Sequence, residues 1–392
     1  RVRINGDEYE PPAPGQVATA LDVSRSLRPG TNRLEIEVAG PAADAAEGRR
    51  RRHPLGWGEA GRVGREPPRG AQAVAWGAWA RPEAVPPGHL PPGLAGPVRL
   101  RFVRGVAPVG LSWFIVGEGL EPFPAPGGAA GRRARADAGS GQLRLPMVRG
   151  CARVRYVATE PARGRCWVAI EPDGFAAPGA CVAWDVEAVP PGGTWEIGFT
   201  LPAPRLWTLG EWGRPHVYRL RAWFEPQGEP QDSAGATPGT TPMVGPPDEP
   251  GSWPPGLQPA PAPAALVGVR FCQRVDGAWY LNGRPLRFRG ACLVPSGPWP
   301  GAITARQARA WVRRARALGL NALRVYAHAA HPALYEAATR WGIAIWQDLP
   351  PVGSPSRDAV AALEHQLAAW VEEVGRWPAV IAWSLGAEPA MP

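Results

Sequence analysis

Apolar and polar residues alternate in short runs over the first part of the chain, then give way to a longer strand-and-helix rhythm after residue 270. Leu34, Ile36 and Val38 alternate with Arg33, Glu35 and Glu37, which predicts a strand with one buried and one wet face. Val2-Arg3-Ile4 ahead of an Asn5-Gly6 turn, the run Leu21-Asp22-Val23 and the alternating stretch 98–103 extend this β pattern, with Pro29-Gly30 as a further turn. Short strands recur from 154 to 224: 154–157, 166–170, 181–186, 195–199 and 217–224. Their spacing of roughly ten residues, with turn residues between, predicts an immunoglobulin-like sandwich.

The second rhythm is different. Strands are expected over 286–293, 321–326, 343–349 and 380–385. Helices are expected over 304–318, with Thr304 as N-cap, over 332–341, with Pro332 in its first turn, and over 357–375. Repeated strand–helix units imply a parallel sheet with right-handed crossovers. They match the first half of a (β/α)8 TIM barrel, whose functional residues sit where strands end. The expected fold class is therefore multidomain: a jelly-roll-like β-sandwich over 1–116, an immunoglobulin-like β-sandwich over 142–225, a Pro/Gly-rich linker over 226–264, and a half barrel over 268–392. Residues 117–141 read as an interdomain loop.

Composition alters this picture only in places. The 49 Gly and 50 Pro cluster in the stretches read as linkers. The formal charge of +9 raises the question of a polyanion partner. The chain contains no lysine, however, and its one dense basic run, Arg49–Arg52, lies in a Gly-rich polar stretch read as a solvated loop, so no nucleic-acid partner is expected. No run of ~18 apolar residues indicates a membrane span. Cys151, Cys166, Cys181, Cys272 and Cys292 form no CxxC pair or zinc spacing, and are expected to be free thiols. No metal or other cofactor is expected.

The motifs point to a family. Leu27-Arg-Pro-Gly-Thr-Asn-Arg-Leu34, Pro204-Arg-Leu-Trp207 followed by Val217-Tyr-Arg-Leu220, and Tyr280-Leu-Asn-Gly-Arg-Pro-Leu-Arg-Phe-Arg-Gly290 follow one another in the order sandwich, middle domain, barrel. With Leu318-Gly-Leu-Asn-Ala-Leu-Arg324 and Arg376-Trp-Pro-Ala-Val-Ile-Ala-Trp-Ser-Leu-Gly-Ala-Glu-Pro389, the chain resembles glycoside hydrolase family 2 along nearly all of its length. Trp341-Gly-Ile-Ala-Ile-Trp-Gln-Asp348 and the run 69–79 followed by 93–98 resemble the β-mannosidases of that family. Gly77-Ala78 stands where those enzymes carry an acidic residue between two tryptophans, and β-galactosidase and β-glucuronidase specificities share the remaining motifs.

The resemblance implies a retaining β-glycosidase acting on a carbohydrate. Cleaving a glycosidic bond requires a proton on the departing oxygen, and Glu388, following an apolar strand beside Trp383, is the expected general acid/base. Its partner nucleophile would come from a later strand, beyond Pro392, and a continuation of the chain supplying it is expected. Asp348 could substitute only against the family pattern, in which it shapes the pocket. Ala387 stands where the family has an Asn contacting the sugar 2-hydroxyl. Arg324 matches the family arginine that braces the nucleophile, with an ordinary ion pair as the alternative. His328 and His331 follow that strand, where either could line the pocket or cap a helix. Trp346, Trp383 and Trp299 are placed for stacking on a sugar. The competing reading is a catalytically inactive carbohydrate-binding remnant.

Overall fold

The structure is a computed structural model that describes residues 1–9, 21–37, 103, 105–116, 145–227, 264–294, 303–326, 328–349, 364, 367–368 and 370–385. The stretches 98–102, 117–141 and 228–263, the run 69–79, Trp299, Ala387 and Glu388 lie outside the described residues. The chain divides into two compact units, one of Arg1–Val98, Trp207–Pro215 and Arg270–Pro392, the other of Arg99–Leu206 and His216–Val269.

In the first unit, β1 (Val2–Ile4) lies between β2 (Asp7–Tyr9) and β3 (Leu34–Ile36), all antiparallel. The β1–β2 turn places Asn5 at φ 52° and Gly6 at φ 96°, the left-handed conformations that an Asn-Gly hairpin tolerates and others resist. The Asn5 side chain accepts from Arg33 N at 2.8 Å and donates to Ser26 O and Asn32 Oδ1, both at 2.7 Å. Leu21–Val23, expected to be extended, leads instead into a single 3-10 turn, Ser24–Ser26, with Asp22 Oδ1 accepting from Ser24 N at 3.0 Å.

The second unit is an antiparallel sandwich of seven strands: β4 (Val106–Ile115), β5 (Met147–Ala158), β6 (Ala162–Pro172), β7 (Ala180–Ala188), β8 (Gly192–Pro202), β9 (Tyr218–Pro226) and β10 (Ala264–Val267). The sheet orders are β4-β5-β8 and β10-β9-β6-β7. Alternate residues turn inward, as the period of a pleated strand requires: Val148, Ala152, Val154 and Tyr156 on β5, Cys166, Val168 and Ile170 on β6, Ile197, Phe199 and Leu201 on β8. Near the start of β9, the Tyr218 hydroxyl accepts from Arg205 N at 2.7 Å, a buried phenol satisfying a backbone donor thirteen residues upstream. Strand β4 belongs here and not with 1–116, because it pairs with β5 from Val106↔Ala158 to Ile115↔Gly150. All five cysteines are free, and burial pushes the Cys166 thiol up to about 12.

The remainder of the first unit begins with a meander, β11 (Cys272–Val275), β12 (Ala278–Leu281) and β13 (Arg284–Leu286). Its turns are Asp276-Gly277 and Asn282-Gly283, again with positive φ at both central residues. Next come β14 (Gly290–Leu293), α1 (Ala305–Ala317), β15 (Ala322–Val325), α2 (Pro332–Trp341), β16 (Ala344–Asp348) and β17 (Val380–Ser384). Strands β14 to β17 form one parallel sheet in sequential order. Thr304 caps α1 in a capping box: its Oγ1 accepts from Gln307 N at 3.3 Å, and Gln307 Oε1 accepts from Thr304 N at 2.8 Å. Helix α1 buries Ala308, Val312 and Ala315, one helical stripe. Of the helix expected over 357–375, the described residues 364, 367, 368 and 370–373 are helical.

Two boundaries differ from expectation for a physical reason. The single strand expected over 286–293 is split between β13, antiparallel to β12, and β14, parallel to β15. Between them the buried Asn321 side chain takes over the ladder's role, accepting from Arg289 N at 2.8 Å and donating to Arg287 O at 2.9 Å. Residues 207–215 belong with the parallel-sheet unit, although they lie within the span read as immunoglobulin-like. The fully buried Trp207 donates from Nε1 to Thr339 O at 2.8 Å, its carbonyl accepts from Asn282 Nδ2 at 2.8 Å, and Gly210 N donates to Gly342 O at 2.9 Å. Glu211 accepts from Asn321 Nδ2 at 3.0 Å and pairs with Arg289.

Candidate active site

Strand register decides which side chains share a face. Cys292, Arg324, Trp346 and Ala382 are successive partners across the parallel sheet, and Asp348 is opposite Ser384. Because side chains alternate along each strand, these six occupy one face. Leu293, Val325, Gln347 and Trp383 are the corresponding residues of the other face. Trp383 is thus set apart from Arg324, Trp346 and Asp348.

On the first face, Arg324 Nε donates to both carboxylate oxygens of Asp348, at 3.1 and 2.9 Å. Asp348 is wholly enclosed, while about a third of the Arg324 side chain meets solvent at 36% exposure. Burial opposes the charged guanidinium, but the Asp348 hydrogen bond and charge outweigh it and raise the Arg324 pKa. The same guanidinium lies 5.5 Å from the Tyr326 ring centroid. Asp348 is thus an enclosed ion-pair partner of Arg324. Trp346 is half-buried, donates from Nε1 to Ser384 Oγ at 3.1 Å, and meets Trp279 and Phe288 edge-on at 5.7 Å each. Its edges are engaged within the unit.

The loop after β15 carries the two histidines, and the structure separates them. His331 is the N-cap of α2, its Nδ1 accepting from Ala333 N at 3.1 Å. His328 is buried at 3% exposure, with Nδ1 2.8 Å from Tyr326 O. A carbonyl only accepts, so Nδ1 carries the hydrogen and the neutral ring leaves Nε2 bare. Burial pushes the His328 pKa below its ordinary 6.5, against smaller opposing effects of the Tyr326 carbonyl and Asp348.

Sequence reasoning missed the group that anchors this loop. Gln347 is fully buried, accepts from Tyr335 Oη at 2.6 Å, and donates to His328 O and Asp348 O, both at 2.8 Å. Tyr335 Oη also accepts from Ala330 N at 3.1 Å. The available signal was an amide directly after the apolar run Ile343–Trp346, which must find partners if buried.

The lowered His328 pKa has a stability consequence. A folded pKa below the unfolded value means that the unfolded chain binds more protons as pH falls through ~6.5. Stability contributed by neutral His328 is then complete above that pH and declines below it. Urea unfolding followed across this window should show stability rising with pH, with a shallower slope in His328→Gln. An unchanged slope in the variant would assign the dependence to other groups.

Among the described residues, no cluster of three or more His, Cys, Asp or Glu is arranged to hold a metal ion, and no helix is long and apolar enough to cross a membrane. No family model matches the chain, and no curated protein matches it. Similar solved structures do exist. A β-glucuronidase of Parabacteroides merdae shares 14% identity at a TM-score of 0.47, over 72% of this chain and 30% of that one. A β-D-mannosidase of Dictyoglomus thermophilum shares 15% at 0.46, over 71% and 29%. The exo-chitosanase CsxA of Amycolatopsis orientalis shares 15% at 0.45, over 62% and 27%. The chain spans less than a third of the length of each of these proteins.

Proposed function

We propose that the chain is part of a retaining β-glycosidase of the glycoside hydrolase family 2 type, with Glu388 as general acid/base. The observation that supports this most is the parallel sheet β14–β17, whose strands run in sequential order and whose C-terminal ends bring Arg324 and Asp348 together. Sequential parallel strands are how a (β/α)8 barrel is built, and its chemistry belongs at that end. Strand β17 ends at Ser384, beside Asp348, and Glu388 follows four residues later. The strand order β4-β5-β8 facing β10-β9-β6-β7 also suits an immunoglobulin-like middle domain, and the three-stranded β1–β3 sheet a leading sandwich.

In this reading Glu388 gives its proton to the departing glycosidic oxygen while a second carboxylate attacks the anomeric carbon. The resulting glycosyl-enzyme is then hydrolysed by a water that Glu388 deprotonates. Asp348 is not read as that second carboxylate, because its side chain is wholly enclosed. Arg324 and Asp348 act as a pair that shapes the pocket floor, with Trp346 beside them. Among β-linked sugars a β-mannoside is favoured, on the likeness of 341–348 to the β-mannosidase segment. Ala387 offers no hydrogen bond to a sugar hydroxyl, which favours slow turnover and keeps a binding-only role as the second reading.

Aryl β-mannoside, β-galactoside and β-glucuronide substrates test this on the full natural protein. Glu388→Gln should lower turnover of substrates with poor leaving groups by ~10²–10⁴, the range of a lost general acid. Equal turnover by Glu388→Gln would remove the assignment. Saturable glycoside binding without any hydrolysis would select the binding-only role.

A further inference from the structure

The outward face of the β10-β9-β6-β7 sheet carries two indoles that stand outside the core of the sandwich. Trp167 on β6 and Trp223 on β9 are direct partners across the strands, and both are half-buried. Their chain neighbours Cys166, Val168 and Ala222 are buried on the inward face, so strand alternation turns both indoles outward. The two rings lie 2° from parallel, with centroids 5.9 Å apart. Trp167 is held in its pose by Nε1, which donates to Glu225 Oε2 at 2.7 Å. Its partner on the other side is Ala183 of β7, an exposed residue whose methyl is too small to cover an indole.

Polar groups rim the pair and neutralise one another. Arg165 is paired with Asp185 at 3.2 Å and Arg221 with Glu171 at 2.7 Å. Further out, the ion pairs repeat. Counting Glu225, the rim sets three carboxylates against two guanidiniums, although the whole chain has a formal charge of +9. Such a face has no surplus positive charge to attract a polyanion. An apolar patch inside a polar rim is nonetheless the form of a recognition surface.

We propose that this face docks a neutral β-linked glycan chain, with Trp167 and Trp223 stacking on its sugar rings and the ion-paired rim bonding its hydroxyls. A β-linked pyranose offers weakly positive C–H bonds to the electron-rich face of an indole. Paired carboxylates and guanidiniums keep spare acceptors and donors for hydroxyl groups. The surface belongs to the middle sandwich, whereas Arg324 and Asp348 belong to the parallel-sheet unit, so it holds polymer without taking part in bond cleavage. The choice of a glycan rests on the glycosidase reading above; the fixed indole pair and its balanced rim do not.

Depletion of the full natural protein from solution by insoluble β-1,4-mannan and by cellulose tests the surface, with heparin-agarose as the polyanion control. At least one neutral polymer should retain the wild type. Trp167→Ala and Trp223→Ala should each weaken that retention about tenfold, while heparin binding and turnover of aryl β-glycosides stay unchanged. Glu225→Ala, at an exposed position, should weaken it about threefold by releasing the Trp167 edge, and decides the matter if the indole variants fail to fold.

Retention that survives all three replacements would overturn the docking surface. So would a lack of retention on both neutral polymers, and hydrolysis of aryl glycosides in that case would leave the glycosidase reading standing. Variants that lose heparin in place of the neutral polymers would overturn it in favour of a polyanion surface. Indole-dependent retention by a protein that hydrolyses none of the aryl glycosides would support the surface and count against the glycosidase.

Discussion

Replacing Arg324 by Met should destabilise the parallel-sheet unit by about 3 kcal/mol, the lower end of the range for breaking a buried ion pair. The carboxylate of Asp348 is completely enclosed, and Arg324 Nε contacts both of its oxygens. Removing the cation strands a desolvated charge, which costs more than the pair itself contributes. Arg324 is partly open to solvent, so water can enter where the guanidinium was, and the upper end of the range is not expected. The paired change Arg324→Met with Asp348→Leu should recover most of the loss, since replacing both charges by apolar groups is often close to neutral. Urea unfolding monitored by hydrogen exchange of the β15 and β16 amides measures this locally. A double variant as unstable as Arg324→Met alone would show that volume, and not charge, dominates the site.

The second large effect is expected at Gly342. Gly319 and Gly342 follow α1 and α2 with nearly the same backbone, φ 70° and 68°. A Cβ on Gly319 meets nothing within 4 Å, so Gly319→Ala should cost about 1 kcal/mol, the left-handed penalty alone. A Cβ on Gly342 would stand 2.1 Å from Gly210 N, and backbone cannot step aside as a side chain can. Gly342→Ala adds that collision and disturbs the Gly210 N to Gly342 O bond, for a total of about 3–5 kcal/mol. The two variants compared by urea midpoint isolate the collision. Equal losses would mean that the 207–215 strap shifts freely.

Much of the local architecture was legible because it is written in short-range chemistry. The Thr304 cap, the Pro332 first turn and the Asn5-Gly6 hairpin depend on neighbours within a few residues, and each stands as expected. Strand β4 was harder to see, since Pro108 and Gly110 interrupt its alternation and its register shifts between them. The split of 286–293 depends on Asn321, thirty-two residues beyond the Arg289 amide that it accepts from. At the candidate site, residue types pointed to Arg324 and Asp348 singly, but their pairing follows only from the alignment of β15 with β16. The same alignment moves Trp383 to the opposite face from Arg324. The Tyr335–Gln347–His328 chain was invisible for a related reason: it joins a helix, a strand end and a loop through side chains that no spacing rule connects.

The strap Trp207–Pro215 makes the order of the gene differ from the order of the structure. A segment beginning after the Pro/Gly-rich stretch would carry α2 and the parallel strands yet lack the indole bonded to Thr339 O, the carboxylate that holds Asn321 and the glycine seated on Gly342. Recombination at that stretch therefore could not hand the parallel-sheet unit intact to another protein. The unit and the middle sandwich are obliged to be inherited together.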